Sequence, residues 1–503
     1  MPTLRDYQQE AIDRVRDAFG RGKKRVLLVM PTGAGKTVCF SYIASGVAQK
    51  QKRVTIMAHR RELLKQISDA LRSWRVSHGM LLGGQVGLPR SGVVVASTPT
   101  LAKRIKHFTA PNLFIIDEAH HAVKSTQAGA IINHFRDSLV LGVTATPCRL
   151  DGTGLGEVFD EIVMGPSVAE LTAMGFLSPA EVYAPSVPNL AGLHRRGGDY
   201  VQSELEAVMD KPKITGHAVE HYRKLAYGKR AVAFCVSIKH AEDVAAEFCA
   251  AGFAAAHVDG KMDDELRDKT IAEFRAGRIK VLTSCDLISE GFDLPSIECA
   301  ILLRPTQSVG LYLQQVGRAI RPWEGKKHTV VIDHAGNTLR HGFIDQPREW
   351  SLAGAAEPKG TSESVPRVRT CPVCFACHKP APICPKCSHV YEVAGREVEH
   401  VDGDLVQISK ASDYKDDAKG ASEFERLYYI LLNVGKQRGY ESPETWAFNV
   451  VSQKLAAERA KDRGSQDGTI NGLMPDELDD LRSRTIDRER VMKAMSKEEP
   501  VTA

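Results

Sequence analysis

The segment Pro31-Thr32-Gly33-Ala34-Gly35-Lys36-Thr37 follows the apolar run Arg25–Met30, and Asp117-Glu118-Ala119-His120 follows a second apolar run, Leu113–Ile116. No other feature constrains the chain as much as this pairing. A strand running into a glycine-rich turn that ends in Lys-Thr can cradle phosphates on its backbone N–H groups. Its lysine then reaches the outer phosphates and its hydroxyl a divalent cation. Two carboxylates at the end of a buried strand supply a metal ligand and an activator of water. A polyphosphate site needs both halves, and both occur in the expected order. Met30 stands where the strict phosphate-loop pattern has glycine.

The alternation of apolar runs sets the architecture. Strands are expected at Arg25–Met30, Arg53–Ala58, Gly92–Ala96, Leu113–Asp117 and Leu139–Thr144, with helical patterns between them. That alternation predicts a mostly parallel sheet covered on both faces. A second block repeats it, with strands near Arg230–Cys235, Ala255–Val258, Ile279–Ser284, Cys299–Leu303 and Thr329–Ile332. Two α/β domains in tandem are therefore expected, residues 1–170 and 171–350. Their join falls near 165–215, where Leu193–Gly198 reads as an exposed basic loop. Residues 351–370 have linker composition. After 393 a mainly helical region is expected. Phe424, Leu427, Tyr428, Leu431 and Leu432 recur at helical spacing, interrupted by Gly435 and Gly439. Ser442-Pro443 looks like a helix start, and a charged tail runs from about Arg459.

A chain of 503 residues with 43% hydrophobic and 26% charged residues is long enough for several cores. A net charge of +5 is compatible with nucleic acid and too weak to argue for it alone. No apolar run approaches a membrane span, and the N-terminus shows no signal-peptide core, so a cytoplasmic protein is expected. Of eleven cysteines, six are scattered and five crowd into Cys371–Cys387. This is a reducing-compartment pattern with one metal site. Cys371-x₂-Cys374 and Cys384-x₂-Cys387 can present four thiolates to Zn²⁺, which defines a small zinc-binding module at 371–392. Cys377 and His378 are spare candidates, and Cys377 is expected to stay unliganded. Such a module could bind DNA, dock a partner or staple the linker.

Near the end of the second block, Gln314, Arg318 and Arg321 are spaced four and three apart and so share one face of a helix. From there they can reach phosphates held by the first block. At this point the chain resembles the superfamily 2 DEAD/DEAH-box helicases as an ordered set. Leu4–Gln8 resembles the adenine-reading Q motif, PTGAGKT motif I, Ala58–Leu63 motif Ia and Ser97–Thr100 motif Ib. DEAH is motif II and Thr144–Pro147 motif III. Phe234–Ser237 lies where motif IV belongs. Ser289–Asp293 resembles motif V and Gln314–Arg321 motif VI. The segments Leu303–Tyr312 and Ile332–Asn337 look most like the RadD-type branch of bacterial and phage DNA repair helicases. Cys285-Asp286 stands where many relatives have Thr-Asp, and Ala58-His59 replaces the common Pro-Thr opening of motif Ia.

The resemblance implies two RecA-like domains that bind ATP, Mg²⁺ and nucleic acid. Gln8 would read adenine and Arg5 would pack on the base. Thr32, Gly33, Ala34, Gly35 and Lys36 would hold the phosphates, and Thr37 and Asp117 the Mg²⁺. Glu118 would activate water. His120 and Thr144–Thr146 would couple the nucleotide to the nucleic-acid groove, with Thr98 among the strand contacts. Gly291 and Asp293 would touch the nucleotide from the second domain. Gln314 would sit beside Arg318 and Arg321, the arginine fingers. The implied activity is an ATP-driven DNA helicase or translocase acting as a monomer on single-stranded or forked DNA, or on duplex. A single-strand-binding, repair or replication protein is the expected partner class. The competing readings are an RNA helicase, a motor subunit of a restriction-type complex and an ATP-gated nucleic-acid clamp.

Overall fold

The computed structural model describes residues 2–451 apart from 86, 124, 150, 186–187, 210–211, 286–293, 295, 356–367, 392–422 and 438. The chain divides into two compact units, 1–394 and 395–503.

The first unit begins with a seven-stranded parallel sheet. Its strands are β1 (Arg25–Val29), β2 (Val54–Ala58), β3 (Gly79–Leu81), β4 (Val93–Ser97), β5 (Leu113–Asp117), β6 (Leu139–Thr144) and β7 (Glu161–Met164), in the order β3-β4-β2-β5-β6-β1-β7. Alternate residues of β1 enter opposite cores. Val26 and Leu28 pack with Ile12, Phe40 and Ile56, while Leu27 and Val29 pack with Phe114, Ile131 and Phe159. Burial on both faces explains why these strands read as unbroken apolar runs. Strands β3 and β7 lack such runs because they lie at the edges and are only partly buried.

The chain then forms β8 (Ala180–Tyr183) and a small antiparallel hairpin, β9 (Arg195–Arg196) with β10 (Asp199–Tyr200). The expected loop at Leu193–Gly198 is therefore a hairpin. Gly197 (φ 62°) and Gly198 (φ 87°) supply the left-handed pair that a two-residue turn requires. A six-stranded parallel sheet follows from β11 (Ala231–Phe234), β12 (Ala255–Val258), β13 (Val281–Ser284), β14 (Cys299–Leu302) and β15 (Thr329–Asp333), with β8 at its edge in the order β12-β13-β11-β14-β15-β8. Parallel pairing places the C-terminal ends of the central strands, and the loops that carry chemistry, along one rim of each sheet.

In the second unit, the helix Glu423–Gln437 passes through Gly435 rather than ending there. A Cβ on Gly435 would stand 2.9 Å from Pro443 Cβ, so the glycine admits the next helical segment, 443–451, close to the first. Gly439 (φ 69°) makes the turn. Leu432, Ala447 and Val451 are buried, and the Tyr440 and Trp446 rings meet edge to face at 5.0 Å. The charged stretch from Arg459 lies outside the described residues.

Candidate active site

The turn after β1 is shaped by Gly33 (φ 89°) and Gly35 (φ 83°), both in the left-handed region. A Cβ on Gly35 would run into the Gln8 amide, and one on Gly33 would meet Leu177 Cδ2 at 2.9 Å and Arg321 Cγ at 3.3 Å. The loop is thus a cradle that side chains would fill. Gln8 Nε2 and the Tyr7 hydroxyl both donate to the Ala34 carbonyl, at 3.1 and 3.0 Å. Arg5 donates to the Tyr7 hydroxyl at 3.0 Å, and its guanidinium lies 4.2 Å from the Phe176 ring centroid. Gln8 and Arg5 therefore brace the loop from behind. Lys36 opens the helix Lys36–Gln49, and its ammonium donates to the Met30 and Pro31 carbonyls at 3.3 and 3.5 Å. Thr37 follows in the first helical turn, where backbone N–H groups favour anions.

Asp117 ends β5, and Glu118 turns the chain with φ 50° and ψ 53°. A non-glycine residue held there costs on the order of 1–3 kcal/mol, a cost that recurs where geometry serves a site. Burial and the Glu118 carboxylate push the Asp117 carboxyl well above the ordinary range, against the pull of Lys36, the Glu118 N–H and Arg318. A buried pair of this kind suits a cation beside it. His120 Nδ1 lies 3.5 Å from Glu118 Oε2 and 3.1 Å from Thr144 Oγ1. The Thr144 hydroxyl in turn donates to the Thr146 carbonyl at 2.9 Å. A continuous polar path thus joins Glu118 to Thr146. On the same side, a cavity of about 290 Å³ is lined by His59, Thr98, Asp117, Glu118, His121 and Thr126.

The second sheet contributes the helix Val309–Ala319, which carries Gln314 and Arg318, both buried. It meets the first domain through glycines. A Cβ on Gly317 would stand 2.8 Å from Thr32 Cβ, and one on Gly310 would stand 3.2 Å from Thr146 Oγ1. Sequence reasoning missed this pair, although a seven-residue glycine spacing on an apolar helix is a readable sign of close approach. The helix stops before Arg321, contrary to the single-helix expectation. Pro322 disfavours helical backbone at the residue before it. Arg321 still comes to Gly33, as above. The electrostatics agree. Burial lowers the Lys36 pKa, Glu118 and Asp117 raise it, and Arg318 and Arg321 lower it. Lys36, Asp117, Glu118, Arg318 and Arg321 therefore converge in one cleft. Gly291 and Asp293 lie outside the described residues.

The cysteine cluster is compact. Sγ atoms of Cys371, Cys374, Cys384 and Cys387 all lie within 4.8 Å of one another. Cys371 and Cys387 are 3.6 Å apart, and Cys374 and Cys384 are 3.7 Å apart. A tetrahedron with Zn–S bonds of about 2.3 Å has edges of about 3.8 Å, so the thiols fit zinc. Burial raises the Cys371 pKa, but N–H groups of Cys374 and Val373 and the Cys387 thiol outweigh it and leave the thiol below its usual value. Cys377 instead faces the Thr370 hydroxyl at 3.5 Å, and His378 faces the Tyr391 hydroxyl at 2.7 Å.

The sequence sets this module beyond a linker, yet it packs on the second sheet. Ala184 N donates to the Phe375 carbonyl at 2.9 Å, Tyr183 bridges to Ala376, and Lys386 pairs with Glu181 at 2.8 Å. The first knuckle thus caps the end of β8. Metal analysis should find one zinc per chain. Cys371→Ser with Cys374→Ser should release it, while Cys377→Ser should keep it. A cost of about 2–3 kcal/mol to the domain beneath would lower Tm by roughly 5–10 °C. A metal-free native protein, or a Cys377→Ser variant that loses zinc, would contradict the ligand set.

Residues 1–149 match the family described as type III restriction enzyme, res subunit, and residues 213–322 match the helicase conserved C-terminal domain. A 51.5 kDa protein of a Lactococcus phage is 32% identical over 400 residues, covering 77% of this chain and 85% of that protein. The predicted ATP-dependent helicase IRC3 of Saccharomyces cerevisiae is 31% identical, covering 67% of this chain; the match spans 52% of that helicase. Among solved structures, a fragment of a predicted HsdR subunit of a type I restriction enzyme from Vibrio vulnificus superposes with a TM-score of 0.56 at 22% identity, covering 68% of this chain and 67% of that one. That likeness concerns the fold.

Proposed function

This chain belongs to the superfamily 2 helicases, and we propose that it is a DNA motor that hydrolyses ATP in the cleft between its two sheets. The observation that carries the reading is the convergence of Lys36, Asp117 and Glu118 from the first sheet with Arg318 and Arg321 from the second. In this reading Lys36 and the N–H groups of residues 32–36 hold the phosphates. Thr37 and Asp117 would hold Mg²⁺, which would neutralise phosphate charge. Glu118, kept in place by its strained turn, orients the attacking water and accepts its proton. Arg318 and Arg321 stabilise charge on the transferring phosphoryl group, and only a closed cleft brings them there. Gln8, whose amide also holds the Ala34 carbonyl, reads the adenine edge through its second amide hydrogen.

Glu118 itself lines the cavity beside Thr98, and the path from Glu118 through His120 and Thr144 to Thr146 leads from this chemistry to the second-domain helix at Gly310. That connection is what a motor needs to turn phosphate contacts into strand movement. The restriction-enzyme likeness supports DNA over RNA, because restriction enzymes act on DNA. It also favours a second reading, a motor that works beside a separate nuclease subunit.

ATPase stimulation by single-stranded, forked and duplex DNA and by RNA tests the proposal. Salt must be matched, because phosphate contacts make affinity steeply salt-dependent. Single-stranded or forked DNA should stimulate most. Stimulation by RNA alone would overturn the DNA assignment. Stimulation by duplex with no strand displacement would favour the second reading.

A further inference from the structure

The hairpin β9–β10 has no part in the site described above. Arg195 and Arg196 are exposed, and among the described residues neither forms an ion pair. The hairpin is nonetheless held firmly. Its Asp199 carboxylate accepts from the Gln307 N–H at 2.7 Å and the Thr306 hydroxyl at 2.8 Å, and the Tyr200 hydroxyl accepts from the Gln307 amide. Thr306 and Gln307 lie between β14 and the helix that carries Arg318, on the rim facing the first domain. Tyr200 is flanked by two guanidinium groups, Arg195 at 5.9 Å and Arg340 at 5.8 Å from its centroid.

The turn also reaches across the cleft. Gly198 packs on the Asp151 backbone so closely that a Cβ there would collide with it. Asp151 belongs to the first domain, in the loop after Thr144–Pro147, and beside it stands exposed Arg149. The nearby acids are already engaged. Asp151 accepts from Thr153 at 2.6 Å and lies 3.7 Å from Arg149, while Glu204 accepts from the His194 backbone at 2.7 Å. A small, rigid platform with unpaired positive charge therefore spans the mouth of the cleft.

We propose that this hairpin is a phosphate-backbone contact for single-stranded DNA, with Arg195 and Arg196 as the contacting groups. The inference rests on the motor reading above and adds a surface to it. Arginine forks suit phosphate oxygens, and a docked hairpin fixes the backbone that carries them. Because Gly198 touches the first domain and Asp199 the second, a strand on this surface bears on a contact that exists only when the cleft is closed. DNA and ATP would then favour the same state.

The test is binding of oligothymidylate by the full chain over a range of salt, beside ATPase without nucleic acid. Arg195→Ala with Arg196→Ala should weaken binding about tenfold or more and reduce the slope of log affinity against log salt by about 1.4, as expected for two lost single-strand phosphate contacts. ATPase without nucleic acid and the circular dichroism spectrum should not change. Arg195→Lys with Arg196→Lys keeps the charge and should keep the slope. An unchanged slope in the alanine variant, or loss of slope in the lysine variant, overturns the hairpin assignment alone. Failure of the wild-type chain to bind or respond to any nucleic acid would instead overturn the motor reading.

Discussion

Lys36→Ala should reduce ATP hydrolysis by about 10³-fold or more, because two or more charge-assisted hydrogen bonds of roughly 2–3 kcal/mol each are lost where phosphate charge must be held. The fold should survive. Among the described residues the ammonium donates to the Met30 and Pro31 carbonyls, which border the phosphate cradle. The loop itself is set by Gly33 and Gly35 and braced by Tyr7 and Gln8 at Ala34. Steady-state ATPase beside circular dichroism checks this. A folded variant that keeps most of its activity would remove the nucleotide site from its assigned place.

Arg321→Ala should act differently. Its side chain comes to the phosphate loop from across the cleft, at Gly33. Nucleotide binding by the first domain should stay within a few-fold of wild type. Hydrolysis should fall by roughly 10³–10⁵, the range associated with arginine fingers. Lysine should restore little, since an ammonium lacks the planar fork that grips two oxygens. Nucleotide affinity by fluorescence and single-turnover hydrolysis, both at saturating DNA, separate the two effects. Equal losses in binding and turnover would show that Arg321 holds the ground state and adds nothing in the transition state.

The central strands were legible because both of their faces are buried. Leu113–Asp117 and Leu139–Thr144 stand in the structure where their apolar runs begin and end. The phosphate loop and the acidic pair were legible for a related reason: their chemistry demands fixed residue types at fixed spacing next to such strands. Edges were not. Gly79–Leu81 and Glu161–Met164 are short and half-exposed, so they leave no run to detect. Contacts between distant segments were also hidden. Gly317 against Thr32, Gly198 against Asp151 and Phe375 beside Ala184 depend on the meeting of surfaces that no local period encodes. Arg321 was identified by its spacing from Arg318, yet its route to the cleft depends on Pro322 ending the helix.

The placement of β8 has a consequence for how the chain is made. This strand emerges first among those of its sheet, but among the described residues its neighbour in the sheet is β15, and the knuckle that caps it comes later still. About 150 residues separate the two strands, so at 5–20 residues per second β8 waits roughly 7–30 s on the ribosome for its neighbour. During that interval Ala180–Tyr183 is an unpaired edge, the kind of segment that seeks other chains. Thus this exposed edge is sealed by the last pieces of the first unit to appear. A zinc ion held by the four cysteines would make metal supply at that moment bear on the yield of folded protein as well as on its stability afterwards.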